Sequence, residues 1–213
     1  MGQFNAIIDN NFALVRGDLF NYYIIYKPYG MLTQFMDEQG RPTLKDLGPF
    51  PKDVYPVGRL DLDSEGLLIL TNDVQLNQRL LHPKHKHQRE YWAQVEGAIH
   101  QEALNQLKKG LEIKVNKKTY KTLPAQAFAM EEPENLPPRN PPIRYRKTVP
   151  TSWLKLQLME GKNRQVRKMT AKAGFPTLRL IRARIENLSL GNLQPGEVKE
   201  LPRNAIYKAL FKK

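Results

Sequence analysis

Apolar positions along this chain repeat with two different periods, and the switching between them predicts short strands interspersed with short helices. The run Tyr22 to Tyr26 reads as a first strand, preceded by residues 1 to 20, which hold no sustained period and are expected to form an arm. Lys27-Pro28-Tyr29-Gly30 then supplies tight-turn chemistry. A second apolar run, Gly66 to Leu70, ends at Thr71-Asn72-Asp73. Residues 88 to 97 alternate so that Tyr91, Ala93 and Val95 share one side, and between Thr151 and Met159 the residues Leu154, Leu156 and Leu158 alternate with Trp153, Lys155 and Gln157. Both are half-buried strand patterns.

Helical spacing is found in two places. His100 to Lys109 carries Ala103, Leu104 and Leu107, with Gly110 where a left-handed cap is usual. Asn163 is the expected cap of a second helix, with a stripe of Val166, Met169 and Ala173, stopped by Gly174 and Pro176. Five prolines between Leu136 and Pro150 rule out regular structure there. Leu178 and Leu180 begin another strand, residues 190 to 201 are turn-rich, and residues 202 to 213 read as a basic tail. Without regular βαβ alternation or a glycine-rich phosphate loop, the pattern predicts an α+β fold on a mainly antiparallel mixed sheet.

Charge narrows the choice of partner. The chain has 213 residues, a net charge of +13 and a pI near 9.8, which favours polyanions such as nucleic acid. From Pro138 to Arg184 there are thirteen basic residues against one acid, Glu160, so that nearly the whole excess sits in one stretch. Like charges clustered without acidic neighbours repel, and an RNA-backbone surface is the expected use. No stretch approaches the roughly 20 apolar residues of a membrane span and the N-terminus lacks a signal pattern, so a cytoplasmic protein is expected. Cysteine is absent, which excludes disulfides, thiolate catalysis and cysteine-ligated metals.

Against this basic background, Gly58-Arg59-Leu60-Asp61-Leu62-Asp63-Ser64-Glu65-Gly66 places three carboxylates within five residues just before a strand. Asp61, Asp63, Glu65 and Gly66 match the first, third, fifth and sixth positions of a calcium loop. The ninth position is then Ile69 and the twelfth Asn72, where a bidentate Glu is required, so the match fails. The remaining alternatives are a solvated acidic turn and one carboxylate used as nucleophile or base. His82, His85 and His87 share a basic turn and His100 opens a helix, which suits surface or phosphate contacts better than a zinc site. No metal is expected.

Several motifs in order carry a family resemblance: Lys27-Pro28-Tyr29-Gly30, Gly58-Arg59-Leu60-Asp61, Ser64 to Asn72, Tyr91 to Gly97, and Glu160-Gly161-Lys162-Asn163-Arg164-Gln165-Val166-Arg167-Lys168-Met169. On these the chain resembles the RsuA/RluB/RluE/RluF group of pseudouridine synthases. Asn140 to Arg144 and Pro150 to Lys155 are similar to the RluE type in particular. The resemblance implies a pseudouridine synthase fold, with two lobes around a central cleft over residues 21 to 201. It further implies isomerisation of one uridine of large-subunit (23S) ribosomal RNA, free or in an assembly intermediate, by a monomer without cofactor. Most relatives have a small N-terminal RNA-binding domain, for which the residues before the first motif are too few; RluE-type members also lack it.

Position by position, the resemblance makes Asp61 the catalytic carboxylate and Arg59 the arginine that fills the space of an extruded base. Tyr91 is the tyrosine that stacks on the target base and takes part in proton removal, and Arg167 is the cation paired with Asp61. Lys27, Arg139, Arg144, Arg146, Lys147, Arg164 and Lys168 are the further expected RNA contacts, although many relatives have His where Arg164 stands. A carboxylate that must stay ionised in a dry pocket needs a fixed cation, and a guanidinium is suited to hold it. The competing classes are a non-catalytic RNA-binding or ribosome-assembly protein, which needs the basic stretch but not Asp61, Tyr91 and Arg167 together, and a metal-dependent nuclease, which needs grouped carboxylates.

Overall fold

The computed structural model describes residues 20–143, 146 and 148–212. The arm expected over residues 1 to 20 therefore lies almost wholly outside the described residues, as do Arg144 and Lys147. In chain order the elements are β1 (Tyr22–Lys27), β2 (Tyr55–Pro56), β3 (Glu65–Thr71), α1 (Val74–Leu81), β4 (Arg89–Glu96), α2 (Gln101–Lys109), β5 (Glu112–Val115) and β6 (Lys118–Lys121). There follow β7 (Gln126–Met130), β8 (Thr151–Leu158), α3 (Gln165–Lys172), β9 (Thr177–Ile185), β10 (Leu188–Ser189), β11 (Val198–Glu200) and α4 (Arg203–Phe211).

The main sheet runs in the order β11-β1-β3-β9-β4-β8-β7, with β2 and β10 added at β3 and β9. Every pairing is antiparallel except β3 with β9, where Glu65 meets Ile181 and Gly66 meets Arg182. The expected α+β architecture is the one found. At the parallel seam the backbones come so close that a Cβ on Gly66, which has a φ of 109°, would collide with the Arg182 carbonyl oxygen. Only glycine fits that position.

Alternation along the strands separates two sheet faces. Tyr22, Ile24 and Tyr26 of β1, Leu67 and Ile69 of β3, and Ile181 and Ile185 of β9 pack with Leu76 and Leu80 of α1 and with Ile206 and Leu210 of α4. On the opposite face there are two clusters. One joins Ile25, Leu68 and Leu70 to the loop residues Met31, Leu44, Val54 and Leu60. The other joins Ala93, Val95, Leu154, Leu156 and Leu158 to Leu104 and Leu107 of α2 and to Val166 and Met169 of α3. These two clusters share the face of the sheet that carries Gly66 and Arg182 of the β3–β9 seam.

Three expectations are corrected. Residues 202 to 213 are not a tail: α4 occupies most of them, because Ile206 and Leu210, one turn apart, are buried in the core while Lys208 and Lys212 stay exposed. Asn163 does not cap α3. Arg164 takes the cap position in a left-handed conformation (φ 53°, ψ 34°), and the Gln165 side chain accepts the Lys162 N–H at 2.9 Å. Gly110 ends α2 with φ 79° and ψ 152°, which is not a left-handed helical residue; glycine is needed because a Cβ there would strike the Thr122 carbonyl oxygen.

Candidate active site

The segment from Gly58 to Ser64 enters β3 and is fixed from below by the turn after β1. The Gly30 N–H donates to the Leu62 carbonyl at 2.8 Å, and the Thr33 hydroxyl donates to the Leu60 carbonyl at 2.8 Å. A further bond from the Ser64 N–H to the Asp61 carbonyl at 3.0 Å closes the turn that carries the carboxylates. The two sequence motifs around residues 27 and 58 thus form one scaffold. Lys27 is buried under it, its ammonium donating to the carbonyls of Pro28 and Met31, both at 2.8 Å. Burial pushes its pKa down to about 8, against the pull of Glu65, Asp63 and Asp61.

The start of α3 reaches these carboxylates from the other side of the cleft. Arg164 makes a bidentate pair with Asp63 at 2.8 and 2.7 Å, and its Nη1 lies 3.8 Å from Asp61 Oδ2. Arg167 donates to the Asp63 carbonyl at 2.5 Å and to the Thr177 carbonyl at 3.1 Å, while its Nε stands 3.3 Å from Asp63 Oδ2. The expected pairing of Arg167 with Asp61 is therefore not the contact found: Arg167 clamps Asp63, and Arg164 is the cation at hydrogen-bonding or ion-pair range that touches both carboxylates. Burial opposes ionisation of Asp63, but the Arg164 and Arg167 guanidinium groups hold its carboxyl below the usual range.

Glu65, the third carboxylate of the segment, faces away. Its side chain is buried against Arg179 at 2.9 and 2.8 Å, which ties β3 to β9. Among the described residues there is no group of three or more His, Asp or Glu side chains placed to hold a metal ion.

A cleft of about 820 Å³ opens beside Asp61 and has room for a nucleotide. Arg59, Asp61, Tyr91 and Arg164 line it, so four of the expected site residues converge. The others do not. Lys27 is fully buried and cannot present its charge to RNA. Arg139 stacks its guanidinium 4.2 Å over the Tyr29 ring and donates to the carbonyls of Pro141 and Pro142, and Arg146 pairs with Glu96 at 3.2 Å. Lys168 turns back onto the Asn163 carbonyl at 2.8 Å. Arg167 is not among the residues that line the cleft.

Further residues complete the lining, among them His82 and His87, which the sequence reads as surface or phosphate contacts. Lys86 and His87 stand on one rim, Tyr120 and Lys162 on the other, and Arg182 from β9 lies beside Tyr91. Lys162 sits 4.7 Å over the Tyr120 ring, whose hydroxyl donates to Glu160 at 2.5 Å. Tyr120 falls in the four-residue strand β6, where it is the one aromatic or apolar residue and no alternation reveals it, and Arg182 looks in the sequence like one more arginine of the basic stretch.

The sheet thus has an antiparallel body and one parallel seam, and it carries an aspartate turn that faces the basic helix α3 across a cleft. The family model for RNA pseudouridylate synthase matches residues 21–172, and the chain belongs to that family. Among curated relatives it is 50% identical over 188 residues to "Ribosomal large subunit pseudouridine synthase E" of Vibrio parahaemolyticus, covering 87% of this chain and 76% of the relative. It is 49% identical to the protein of the same name in Xanthomonas axonopodis pv. citri, covering 81% and 89%. "Ribosomal large subunit pseudouridine synthase B" of Bacillus subtilis is 34% identical, with 87% and 69% covered. The same fold occurs in a crystal structure of a pseudouridylate synthase, at a TM-score of 0.70 and 24% identity, covering 90% of this chain and 74% of that one.

Proposed function

We propose that this pseudouridine synthase isomerises one uridine of large-subunit (23S) ribosomal RNA, with Asp61 as its catalytic carboxylate. The observation that carries the reading is the meeting of Asp61, Arg164 and Tyr91 in one nucleotide-sized cleft of a strongly basic chain. The choice of RNA rests on the names of the relatives at about half identity. The isomerisation breaks the bond from ribose to N1 and makes one to C5, with no net redox change, so acid, base and nucleophile chemistry from side chains is sufficient.

A stacked uridine is out of reach of Asp61, so the nucleotide is flipped at a cost of a few kcal/mol. Arg59, exposed on the cleft rim, takes the space that the base vacates, and Tyr91 stacks on the base. Asp61 then attacks the nucleotide or abstracts a ribose proton. Both need an ionised carboxylate, which Arg164 supports directly and which Arg167 supports by fixing the neighbouring Asp63. The protein acts as a monomer in the cytoplasm, and free ribosomal RNA or an assembly intermediate is the substrate. Among the described residues no helix is long and apolar enough to cross a membrane.

The test is pseudouridine mapping of unmodified large-subunit RNA and of ribosomal particles after treatment with the wild-type chain and with Asp61→Asn. One new site, lost in the variant although RNA binding persists, is expected. No site on either substrate would favour an RNA-binding role without chemistry.

A further inference from the structure

Arg182 is an unusual residue to find beneath a reaction cleft. Its side chain is 5% exposed, its Nε donates to the Leu67 carbonyl at 2.8 Å, and its Nη2 is buried with no hydrogen-bond partner among the described residues. Unlike Arg179 and Arg184, its neighbours on β9, it has no carboxylate partner among the described residues. A buried guanidinium without a counter-ion and with an unused N–H is costly, by the loss of hydration that nothing replaces. Burial accordingly disfavours its charged form, and the Tyr91 hydroxyl is the neighbour that works in the opposite direction.

The sheet explains why these two side chains meet. Tyr91 on β4 stands directly opposite Arg182 on β9 in the antiparallel register, just past a bulge at Glu90/Tyr91, and directly opposed residues share a face. That is the cleft face, because Ala93, Val95 and Leu180 on the same sides of their strands pack under α3. Both residues line the cleft, while the solvent cannot reach Nη2 itself. The Tyr91 hydroxyl is the hydrogen-bonding neighbour of the guanidinium within the cleft, yet Nη2 itself has no well-formed partner among the described residues. Such bonds in unliganded sites commonly align only when substrate is bound.

We infer that Arg182 is a positioning residue for Tyr91: with substrate stacked on the ring, its free Nη2 N–H donates to the phenol oxygen and stabilises negative charge there. The inference rests on the role of Tyr91 in the proposed reaction. Once ribose is bonded to C5, the hydrogen on that carbon must leave. The C5–H bond breaks, its electron pair forms C5=C6, the C6=N1 pair moves onto N1, and the proton passes to the Tyr91 oxygen, which acts as a phenolate after giving its own proton to solvent. N1 takes up a proton from solvent, so no other reactant is needed. A cation behind the phenol oxygen favours that oxygen as the acceptor, and its hydrogen bond fixes the ring plane against the base.

The test compares Arg182→Lys and Arg182→Met in the full chain, with folding checked by thermal melting. Single-turnover conversion is expected to fall about 10- to 100-fold in Arg182→Met, as for loss of a hydrogen bond from a charged donor, and to recover in part in Arg182→Lys. RNA affinity should be unchanged, because Arg182 does not reach the surface. In a Tyr91→Phe background the same substitution should cost nothing further; an equal loss there would overturn the inference and make Arg182 a structural residue. A second readout is independent of the reaction: the ¹³Cζ NMR resonance of Tyr91, assigned by its loss in Tyr91→Phe, should move in both Arg182 variants when RNA is bound. An unmoved resonance overturns the contact. A moved resonance combined with full activity of Tyr91→Phe would keep the contact and remove the proposed role of Tyr91.

Discussion

Lys27 is the residue whose titration is most informative about the scaffold. Its ordinary pKa of 10.5 is pushed down to about 8 by burial, so the unfolded chain binds more protons between those values than the folded one. A desolvation penalty is then fully present below pH 8 and is relieved as pH rises towards 10.5, which corresponds to roughly 3 kcal/mol at most. Lys27→Met removes this titration. The stability of the wild-type chain relative to Lys27→Met, measured by urea unfolding, should therefore increase from pH 7.5 to pH 10.5. A flat difference would mean that the ammonium is solvated in the folded protein. At neutral pH the same substitution leaves the Pro28 and Met31 carbonyls without their donor, so the Asp61 turn should loosen and single-turnover conversion should fall about 10-fold, as expected for one misplaced carboxylate.

At the scale of elements, α4 tests how far a charged segment can be structural. Ile206 is fully buried between α1 and β10 residues in the core, so Ile206→Ala should destabilise the protein by about 2–5 kcal/mol in urea unfolding while leaving the cleft chemistry intact in the folded fraction. A loss within a few tenths of a kcal/mol would return residues 202 to 213 to the status of a tail. The apolar stripe of this helix was in the sequence as Ile206, Leu210 and their neighbours Tyr207 and Phe211, but Arg203, Lys208, Lys212 and Lys213 around it outweighed the spacing. Strands were more legible: β1, β3, β4 and β8 each show apolar alternation or a continuous apolar run that survives any register. What pattern cannot supply is partner choice. The parallel seam of β3 with β9 joins residues more than a hundred positions apart, and only the bare Gly66 hints that another backbone lies there. For the same reason Asp61 and Tyr91 were found as motifs, whereas the exchange of partners between Arg164 and Arg167, and the pairing of Tyr91 with Arg182, depend on geometry across the sheet.

For the whole molecule the question is which part of the +13 charge meets RNA. The basic stretch from Arg139 to Arg184 has one local acid, yet its arginines find carboxylates far away in sequence: Arg146 with Glu96, Arg164 and Arg167 with Asp63, Arg179 with Glu65, and Arg184 with Glu90. Much of the apparent excess is therefore internal, and a paired arginine releases few counter-ions when RNA binds. Lys86 and Lys162 differ, since both are exposed on opposite rims of the cleft without a carboxylate partner among the described residues. Each phosphate contact removed lowers the slope of log Kobs against log salt by about 0.7 for single-stranded RNA. Lys86→Ala combined with Lys162→Ala should thus reduce the slope by about 1.4, whereas Arg146→Ala should change it by much less, in equilibrium titrations from low to moderate salt. Equal effects of the two changes would place the RNA path along the proline-rich loop instead of across the cleft, and would mean that the Arg146–Glu96 pair opens on binding.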